Sequence, residues 1–144
     1  IPTIITQIAS GERKLRLGSI SPTRDFNFVK DTCNAFISVA KADETIGKVI
    51  NASSNFEISI KETALLIAKV MNVEIDIITD EKRLRPEKSE VNRLFGDNSL
   101  LKKLTKWESN YAGINGLEKG LSITAEWFKI PSNIKQYKPN KYTI

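Results

Sequence analysis

The sequence predicts an α/β fold in which helices pack on short mixed strands. Stretches with apolar residues at helical spacing alternate along the chain with short stretches in which every second residue is apolar. The length of 144 residues, with 40% hydrophobic and 27% charged residues, suits one globular domain. We therefore expect one domain over residues 1–130, followed by a C-terminal tail over residues 131–144 that has no clear periodicity.

The chain begins with a helix and a strand. Isoleucines at helical spacing predict a helix over residues 1–9, with Pro2 near its first turn and Gly11 after its end. Charged and apolar residues then alternate over residues 14–18, and a glycine closes the stretch. This pattern predicts a short strand.

The next two elements are an amphipathic helix over residues 29–42 and a strand of β-branched residues over residues 48–52. The single cysteine, Cys33, lies on the apolar stripe of that helix, so we expect it to be a small buried core residue. A polar loop over residues 51–55 follows the strand, and ligands of open α/β sheets gather at such strand ends. A ligand contact and a simple turn are both compatible with this loop.

The middle of the chain repeats the alternation of strand and helix. A short strand over residues 56–60 leads into a helix over residues 60–71, which Ser59 and Glu62 begin with a capping box. A strand over residues 73–77 follows. Further along, Gly96-Asp97 supplies the cap of another helix. The last helix is marked by an apolar stripe of Leu117, Leu121, Ala125 and Phe128.

Arginines are concentrated in the segment RLRPEKSEVNRLFGDNSLLKKLTKW, which covers residues 83–107. Arg83, Arg85 and Arg93 carry planar guanidinium groups that suit phosphate oxygens or carboxylates. Pro86 fixes the backbone directly after Arg85. Because the composition is also typical of a solvated charged loop, the segment alone is a weak indication of an anion site.

Three groups of residues follow one another along the chain. They are Arg24-Asp25-Phe26 with Val29 and Asp31, then Ile58-Ser59-Ile60 with Glu62, and finally Arg85-Pro86 with Glu90-Val91, Gly96-Asp97-Asn98-Ser99, Lys103-Leu104 and Trp107. In this order they resemble the C-terminal part of the extended short-chain dehydrogenases, the nucleotide-sugar epimerases and 4,6-dehydratases. The closest resemblance is to the bacterial UDP-sugar 4,6-dehydratases of legionaminic-acid-type pathways. It implies the C-terminal substrate-binding portion of a Rossmann-type fold, with the N-terminal cofactor half absent.

The resemblance also implies a substrate site. Leu15 and Leu17 would flank the nucleotide base, Arg24 and Arg85 would bind the diphosphate of a UDP-sugar, and Glu90 would accept hydrogen bonds from the ribose hydroxyls. The two arginines, far apart in sequence, would then converge on one pocket. Charge-assisted bidentate hydrogen bonds from arginine to phosphate are among the strong ones in proteins, which supports this assignment.

Structural alternatives exist for these charged residues. Arg24 could form an ion pair with Asp25 or Asp31 instead of binding a phosphate. Glu87 competes with Glu90 for the ribose contact. Either glutamate could instead form a salt bridge within the loop, with Lys88 or Arg93 as its partner.

The chemistry of this family needs a glycine-rich turn for the cofactor and a Tyr-x-x-x-Lys pair, and the resemblance places none of these in the chain. Tyr137 and Lys141 have the spacing but lie in the irregular tail. We therefore expect no catalytic residue, no metal and no bound cofactor in this fragment, and we expect it to be inactive alone. The full-length enzyme would use NAD or NADP to oxidise C4, remove water across C5 and C6, and return the hydride to C6.

Two other functions stay open at this point. One is a nucleotide-sugar 4-epimerase of the same family, whose distinguishing acid and base would lie upstream. The other is a stand-alone module that binds a phosphorylated ligand without catalysis.

Composition limits the partners. The net charge of +5 is spread along the chain without interleaved aromatic residues, which favours a local site for a small phosphate over a nucleic-acid surface. No apolar run reaches the length of a membrane span. The single cysteine excludes a disulfide framework and a cysteine cluster for a metal, and it favours a reducing, cytoplasmic setting. The absence of histidine removes the commonest general base and the commonest zinc ligand from this fragment.

The chain is expected to be part of something longer, because its only methionine is Met71 and it begins with Ile1. The helix over residues 29–42 and the strand over residues 48–52 would then have partners in the missing half. We expect their apolar surface to be exposed here, or to be covered by a second copy in a homodimer.

Overall fold

The computed structural model describes residues 1–137, except for the side chain of Glu87. Residues 138–144, which are half of the predicted tail and include Lys141, therefore lie outside the described residues, so the Tyr137–Lys141 spacing is not tested. The helices are α1 (Pro2–Ala9), α2 (Val29–Ala40), α3 (Ile60–Val70), α4 (Ser99–Thr105), α5 (Gly113–Lys129) and α6 (Pro131–Ile134). The strands are β1 (Lys14–Leu17), β2 (Thr23–Asp25), β3 (Glu57–Ser59) and β4 (Asp76–Thr79).

These elements form two compact units, each assembled from separate stretches of the chain. The first unit contains residues 1–22, residues 59–92 and the described residues from Leu121 onward. The second unit contains residues 23–58 and residues 93–120. The predicted boundary at residue 130 stays a prediction.

The first unit is built on a parallel pair of strands. Strand β1 pairs with β4, and Leu15 lies opposite Ile77 in the register. Helix α1 packs on α3 and on β1. The Gln7 side chain of α1 binds the backbone of β1. It accepts from the Arg16 amide at 2.8 Å and donates to the Arg16 carbonyl at 3.3 Å. The buried apolar residues of these elements are Ile4, Ile5, Ile8, Leu15, Leu17, Ala64, Leu66, Ile67 and Ala68.

Helix α3 begins as the sequence predicts. The Ser59 hydroxyl accepts from the Glu62 amide at 3.1 Å, and the Glu62 carboxylate accepts from the Ser59 amide at 3.0 Å. The capping box is therefore confirmed. The Ser59 hydroxyl also donates to the Glu62 carboxylate, and this bond, followed by that from the Ser59 amide, holds the pKa of Glu62 below its ordinary value.

In the second unit, strands β2 and β3 form a two-stranded sheet, and helices α2 and α4 pack together. A cluster of Ala35, Leu101 and Trp107 forms the core of this packing. The Trp107 indole also donates to the Asp31 carbonyl at 3.2 Å. This indole thereby satisfies its polar group while its ring stays buried.

Helix α5 confirms its predicted stripe. The side chains of Leu117, Leu121, Ala125 and Phe128 are all buried. Within residues 1–137, no helix is both long enough and apolar enough to span a membrane.

Two predictions for the second unit are wrong. Residues 48–52 form no strand, and Val49 is 94% exposed. Cys33 is exposed instead of buried. Both errors have one cause, because a β-branched stretch becomes a strand, and an apolar stripe becomes core, only when another element covers it.

The expected exposure of this apolar surface is confirmed. Helix α2 buries Asp31 and Ala35, whereas Val29, Phe36 and Ile37 on its apolar stripe are 63%, 70% and 51% exposed.

Strand boundaries also differ from the prediction. Strand β4 begins at Asp76, three residues after the predicted start at Val73, because the Asp76 amide donates to the Arg13 carbonyl directly before β1. Strand β2 was not predicted from periodicity. It forms because Thr23–Asp25 lies beside β3, where the Thr23 hydroxyl donates to Glu57 at 2.7 Å.

Candidate functional site

The arginine-rich loop begins at the carboxyl ends of β1 and β4 in the first unit. The Asp80 amide, directly after β4, donates to the Leu17 carbonyl at the end of β1, at 2.7 Å. The backbone of Arg83 then passes so close to Gly18 that a Cβ atom on Gly18 would lie 2.3 Å from the Arg83 carbonyl oxygen. Ligands of α/β proteins bind at this end of parallel strands.

The Arg83 side chain is held by a carboxylate. Its Nε donates to Asp80 at 3.1 Å, and its side chain is only 11% exposed. The other oxygen of the same carboxylate accepts from the Lys82 amide at 3.1 Å. Of the two kinds of partner that the sequence allows for Arg83, the structure therefore shows a carboxylate.

Four of the predicted site residues lie in the first unit. Arg85 is exposed, two residues after Arg83, and Glu90 is half-buried further along the loop. Leu15 and Leu17 are 0% and 6% exposed, so their side chains belong to the core beside the strand end. Their predicted contact with a base stays a prediction, and so does the ribose contact of Glu90. The side chain of the competing Glu87 lies outside the described residues.

The fifth predicted residue, Arg24, lies on β2 of the second unit. It is half-buried, and its Nη1 donates to the Thr23 carbonyl at 2.8 Å. Because Arg24 and Arg85 belong to different units, their convergence on one pocket stays a prediction.

The two aspartates proposed as alternative partners of Arg24 hold loops. The Asp25 carboxylate accepts from the amides of Ser54, Asn55 and Gly96, and also from the Ser54 hydroxyl at 2.6 Å. It thereby joins the loop over residues 51–55 to the loop before α4. The Asn98 side chain adds a hydrogen bond of 2.8 Å to the Ser53 carbonyl.

Asp31 has the same role at the start of α2. It is 1% exposed, and its carboxylate accepts from the Ser109 hydroxyl and from the amides of Asn110 and Tyr111 at 3.1 and 2.9 Å. This carboxylate fixes the segment that leads into α5.

The cap of α4 is one residue away from its predicted place. Asn98 occupies the N-cap position, while Asp97 accepts from the Ser99 amide at 2.9 Å and from the Ser99 hydroxyl. The hydroxyl bond is the main reason that the pKa of Asp97 lies below its ordinary value.

The sequence did not reveal one charged pair of the second unit. Arg93 donates to Glu57 through Nε at 2.9 Å and through Nη2 at 2.6 Å. The hydrogen bonds from Arg93, followed by that from Thr23, hold the pKa of Glu57 below its ordinary value of 4.5. Since 36 residues separate the partners, no local pattern indicates this pair. For Arg93 the sequence offered a salt bridge with Glu87 or Glu90 only as an alternative to their ribose contact.

An open groove of about 920 Å³ lies elsewhere in the first unit. Arg13, Lys69 and Asp76 are among its lining residues, so it lies at the amino ends of β1 and β4. It is therefore at the opposite end of the strands from the arginine loop and contains none of the predicted site residues.

Comparison with known proteins shows the family to which this chain belongs. Residues 1–119 match the protein family described as GDP-mannose 4,6 dehydratase. The GDP-6-deoxy-D-mannose reductase of Pseudomonas aeruginosa is 33% identical over 95 residues, which cover 66% of this chain and 30% of the reductase.

Two solved structures have the same arrangement of elements. That of dTDP-glucose 4,6-dehydratase from Bacillus anthracis, in complex with NAD, matches with a TM-score of 0.74 and 26% identity, over 97% of this chain and 41% of that one. The epimerase Mth375 from Methanothermobacter thermautotrophicus matches with a TM-score of 0.77 and 23% identity, over 92% and 38%. At that identity the epimerase shows the fold alone.

The matched regions cover between 30% and 41% of the length of these relatives. The predicted mixed α/β organisation is confirmed.

Proposed function

Because this chain belongs to the GDP-mannose 4,6-dehydratase family, we propose that it is the nucleotide-sugar-binding portion of an NAD(P)-dependent nucleotide-sugar 4,6-dehydratase. The resemblance to the extended short-chain dehydrogenases, and to the C-terminal portion of their Rossmann-type fold, is thereby confirmed. In this proposal the chain holds the nucleotide and its diphosphate, so that the sugar reaches a cofactor bound by the remainder of the enzyme. We call the complete enzyme of this proposal the parent enzyme.

The observation that carries the proposal is the position of the arginine loop. It leaves the carboxyl edge of a parallel strand pair, and Arg85 is exposed there beside Arg83, which is half-buried and paired with Asp80. A diphosphate carries about two negative charges. Each guanidinium group offers one positive charge and a planar set of donors that suits phosphate oxygens. Arg24 is proposed as its second ligand and Glu90 as the acceptor for the ribose hydroxyls, with Leu15 and Leu17 beside the base.

The nucleotide in this proposal is UDP, following the resemblance to UDP-sugar 4,6-dehydratases. The names of the matched relatives contain GDP and dTDP sugars. A test of the proposal therefore compares UDP with GDP and dTDP.

The residues of this chain do not fit a dinucleotide cofactor. The glycines that come nearest to a glycine-rich run, Gly113, Gly116 and Gly120, lie in helix α5. A Cβ atom on Gly116 would lie 2.2 Å from the backbone of Tyr111, so this glycine serves the packing of the helix. We propose that this portion binds no NAD or NADP and is inactive alone, and that the remainder of the parent enzyme holds the cofactor.

The exposed apolar face of α2 supports a larger enzyme. Phe36 of α2 is 70% exposed, and Val49 in the unpaired segment over residues 48–52 is 94% exposed. Both residues lie in the second unit. Exposed apolar surface of this kind marks an interface. We propose that the cofactor-binding portion covers it, in a cytoplasmic enzyme that forms a homodimer.

The test of the proposed function is product analysis with the parent enzyme and UDP-, GDP- and dTDP-sugars. A 4,6-dehydratase releases a product one water lighter than its substrate, whereas a 4-epimerase, the alternative function within the same family, releases an isomer of equal mass. Loss of water supports the proposal. An isomer would replace it with the epimerase, and binding without any turnover would favour a module that only holds phosphorylated ligands.

A further inference from the structure

Position 18 requires glycine because the backbone of Arg83 lies very close to it, and not because its own backbone conformation excludes other residues. Its φ is outside the left-handed region, unlike that of Gly11 at +93°. An alanine at position 18 would nevertheless place its Cβ atom 2.3 Å from the carbonyl oxygen of Arg83 and 2.9 Å from the carbonyl carbon. Because both are backbone atoms, the loop itself would have to move.

Asp80 fixes the same part of the loop from the other side. Its amide joins the loop to the end of β1 through the Leu17 carbonyl at 2.7 Å. Its carboxylate receives the Lys82 amide on one oxygen and the Arg83 Nε on the other, both at 3.1 Å. The pair is largely shielded, with 11% of the Arg83 side chain and 22% of the Asp80 side chain exposed.

Arg85 follows this fixed point at short range. Leu84, the one residue between Arg83 and Arg85, is extended, with φ −73° and ψ 130°. Two extended residues span about 7 Å, so a displacement of the Arg83 carbonyl moves Arg85 as well. Pro86 restricts the backbone on the far side of Arg85.

From this geometry we infer that Gly18, Asp80 and Arg83 form a clamp that positions Arg85 for the diphosphate. Gly18 and Asp80 are positioning residues, because they act on the ligand through Arg85. The inference rests on the proposed function, in which Arg85 binds the diphosphate. A loop ordered before binding loses less conformational entropy when the ligand binds, and correctly placed groups bind more tightly.

The test uses Gly18→Ala and Asp80→Ala, with Gly11→Ala as the matched control. Gly11 lies in the same unit before β1, and a Cβ atom there would meet nothing within 4 Å, although its φ of +93° makes alanine strained. The control therefore costs stability without displacing the loop. Hydrogen exchange of the Lys82, Arg83 and Leu84 amides is measured in the 144-residue chain, and binding of UDP and GDP in the parent enzyme.

The clamp predicts that Gly18→Ala and Asp80→Ala speed exchange at these three amides and weaken UDP binding, each by about tenfold. The KM for the UDP-sugar rises, while kcat at saturating substrate is retained. Gly11→Ala leaves the exchange rates, the UDP affinity and the KM at the wild-type level. Asp80→Asn, which keeps an acceptor for the Lys82 amide, restores slow exchange at that amide.

Exchange and UDP affinity that stay at the wild-type level in Gly18→Ala and Asp80→Ala would overturn the clamp. Failure of the proposed function gives a different result, since Arg85→Ala would then leave UDP and GDP binding unchanged. In that case hydrogen exchange would show only that the loop is anchored, and the positioning role would be rejected together with the binding role.

Discussion

Several charged residues of this chain hold loops, whereas Arg85 is exposed near a strand end. Asp25 and Asp31 receive backbone amides, Arg83 is paired with Asp80, and Arg93 is paired with Glu57. Arg85 is exposed where the loop leaves the strands. This difference in environment, rather than the number of arginines, supports Arg85 as the residue that meets an anionic ligand.

Asp31 provides a stability prediction at this scale. Asp31 is 1% exposed, and replacing it by alanine removes the acceptor of the Asn110 amide and the nearer of the two acceptors of the Tyr111 amide. We expect Asp31→Ala to lower the free energy of unfolding by about 2–4 kcal/mol, measured by urea denaturation of the 144-residue chain. The exposed Asp43 serves as control, and Asp43→Ala should change it by less than about 0.5 kcal/mol. Equal values for the two variants would contradict the role of Asp31.

Glu57 provides a pH prediction. Its pKa in the folded chain lies below the ordinary value of 4.5, mainly because of the hydrogen bonds from Arg93. The stabilisation from its ionised form is therefore complete above about pH 4.5 and is lost as the pH falls through the lowered pKa.

Unfolding of the wild type and of Glu57→Gln, measured from pH 3 to pH 7, checks this. The difference in their unfolding free energies should be constant at the upper end and should shrink below pH 4.5. A difference that grows on acidification would have the wrong sign for a lowered pKa.

At the scale of elements, local patterns predicted what local forces determine. The capping box of α3 and the buried stripe of α5 were correct, because the residues that form each of them lie within about three helical turns. Strands were less predictable. β4 begins where β1 offers a partner, and residues 48–52 stay unpaired although their composition favours a strand.

Long-range contacts of the site could not be predicted, because their partners are distant in sequence. Asp25 joins the amide of Gly96 across 71 positions, and Arg93 meets Glu57 across 36. Neither separation leaves a periodic signal in the sequence. Arg85 and Glu90 could be proposed only because their loop resembles that of a known family.

Helix α2 allows a direct comparison of its two faces. Phe36 is 70% exposed, whereas Leu101, which packs with Ala35 of this helix, is 0% exposed. We expect Leu101→Ala to cost about 2–5 kcal/mol of unfolding free energy. Phe36→Asp should cost less than about 0.5 kcal/mol, measured in the same denaturation experiment.

The same two variants test whether this face is an interface. Phe36→Asp should weaken association of the chain with the proposed cofactor-binding portion, as measured by sedimentation of the mixed proteins, because a carboxylate would be buried there. Unfolding by Phe36→Asp as severe as that by Leu101→Ala would show instead that the face belongs to the core of the unit.

At the scale of the whole molecule, the chain matches less than half the length of its relatives and is divided into two units. Arg85 belongs to the first unit and Arg24 to the second. The proposed function requires that both arginines bind the diphosphate of the ligand in the parent enzyme.

The most direct test is calorimetric titration of the parent enzyme with UDP and with uridine, for the wild type, Arg24→Ala and Arg85→Ala. Arg93→Ala, whose guanidinium is paired with Glu57, is the matched control. The account predicts that Arg24→Ala and Arg85→Ala each weaken UDP binding by about 1–3 kcal/mol, because each removes a charge-assisted contact with the diphosphate. Uridine, which has no phosphate, should bind all four proteins equally. Unchanged UDP affinity in both Arg24→Ala and Arg85→Ala would contradict the account.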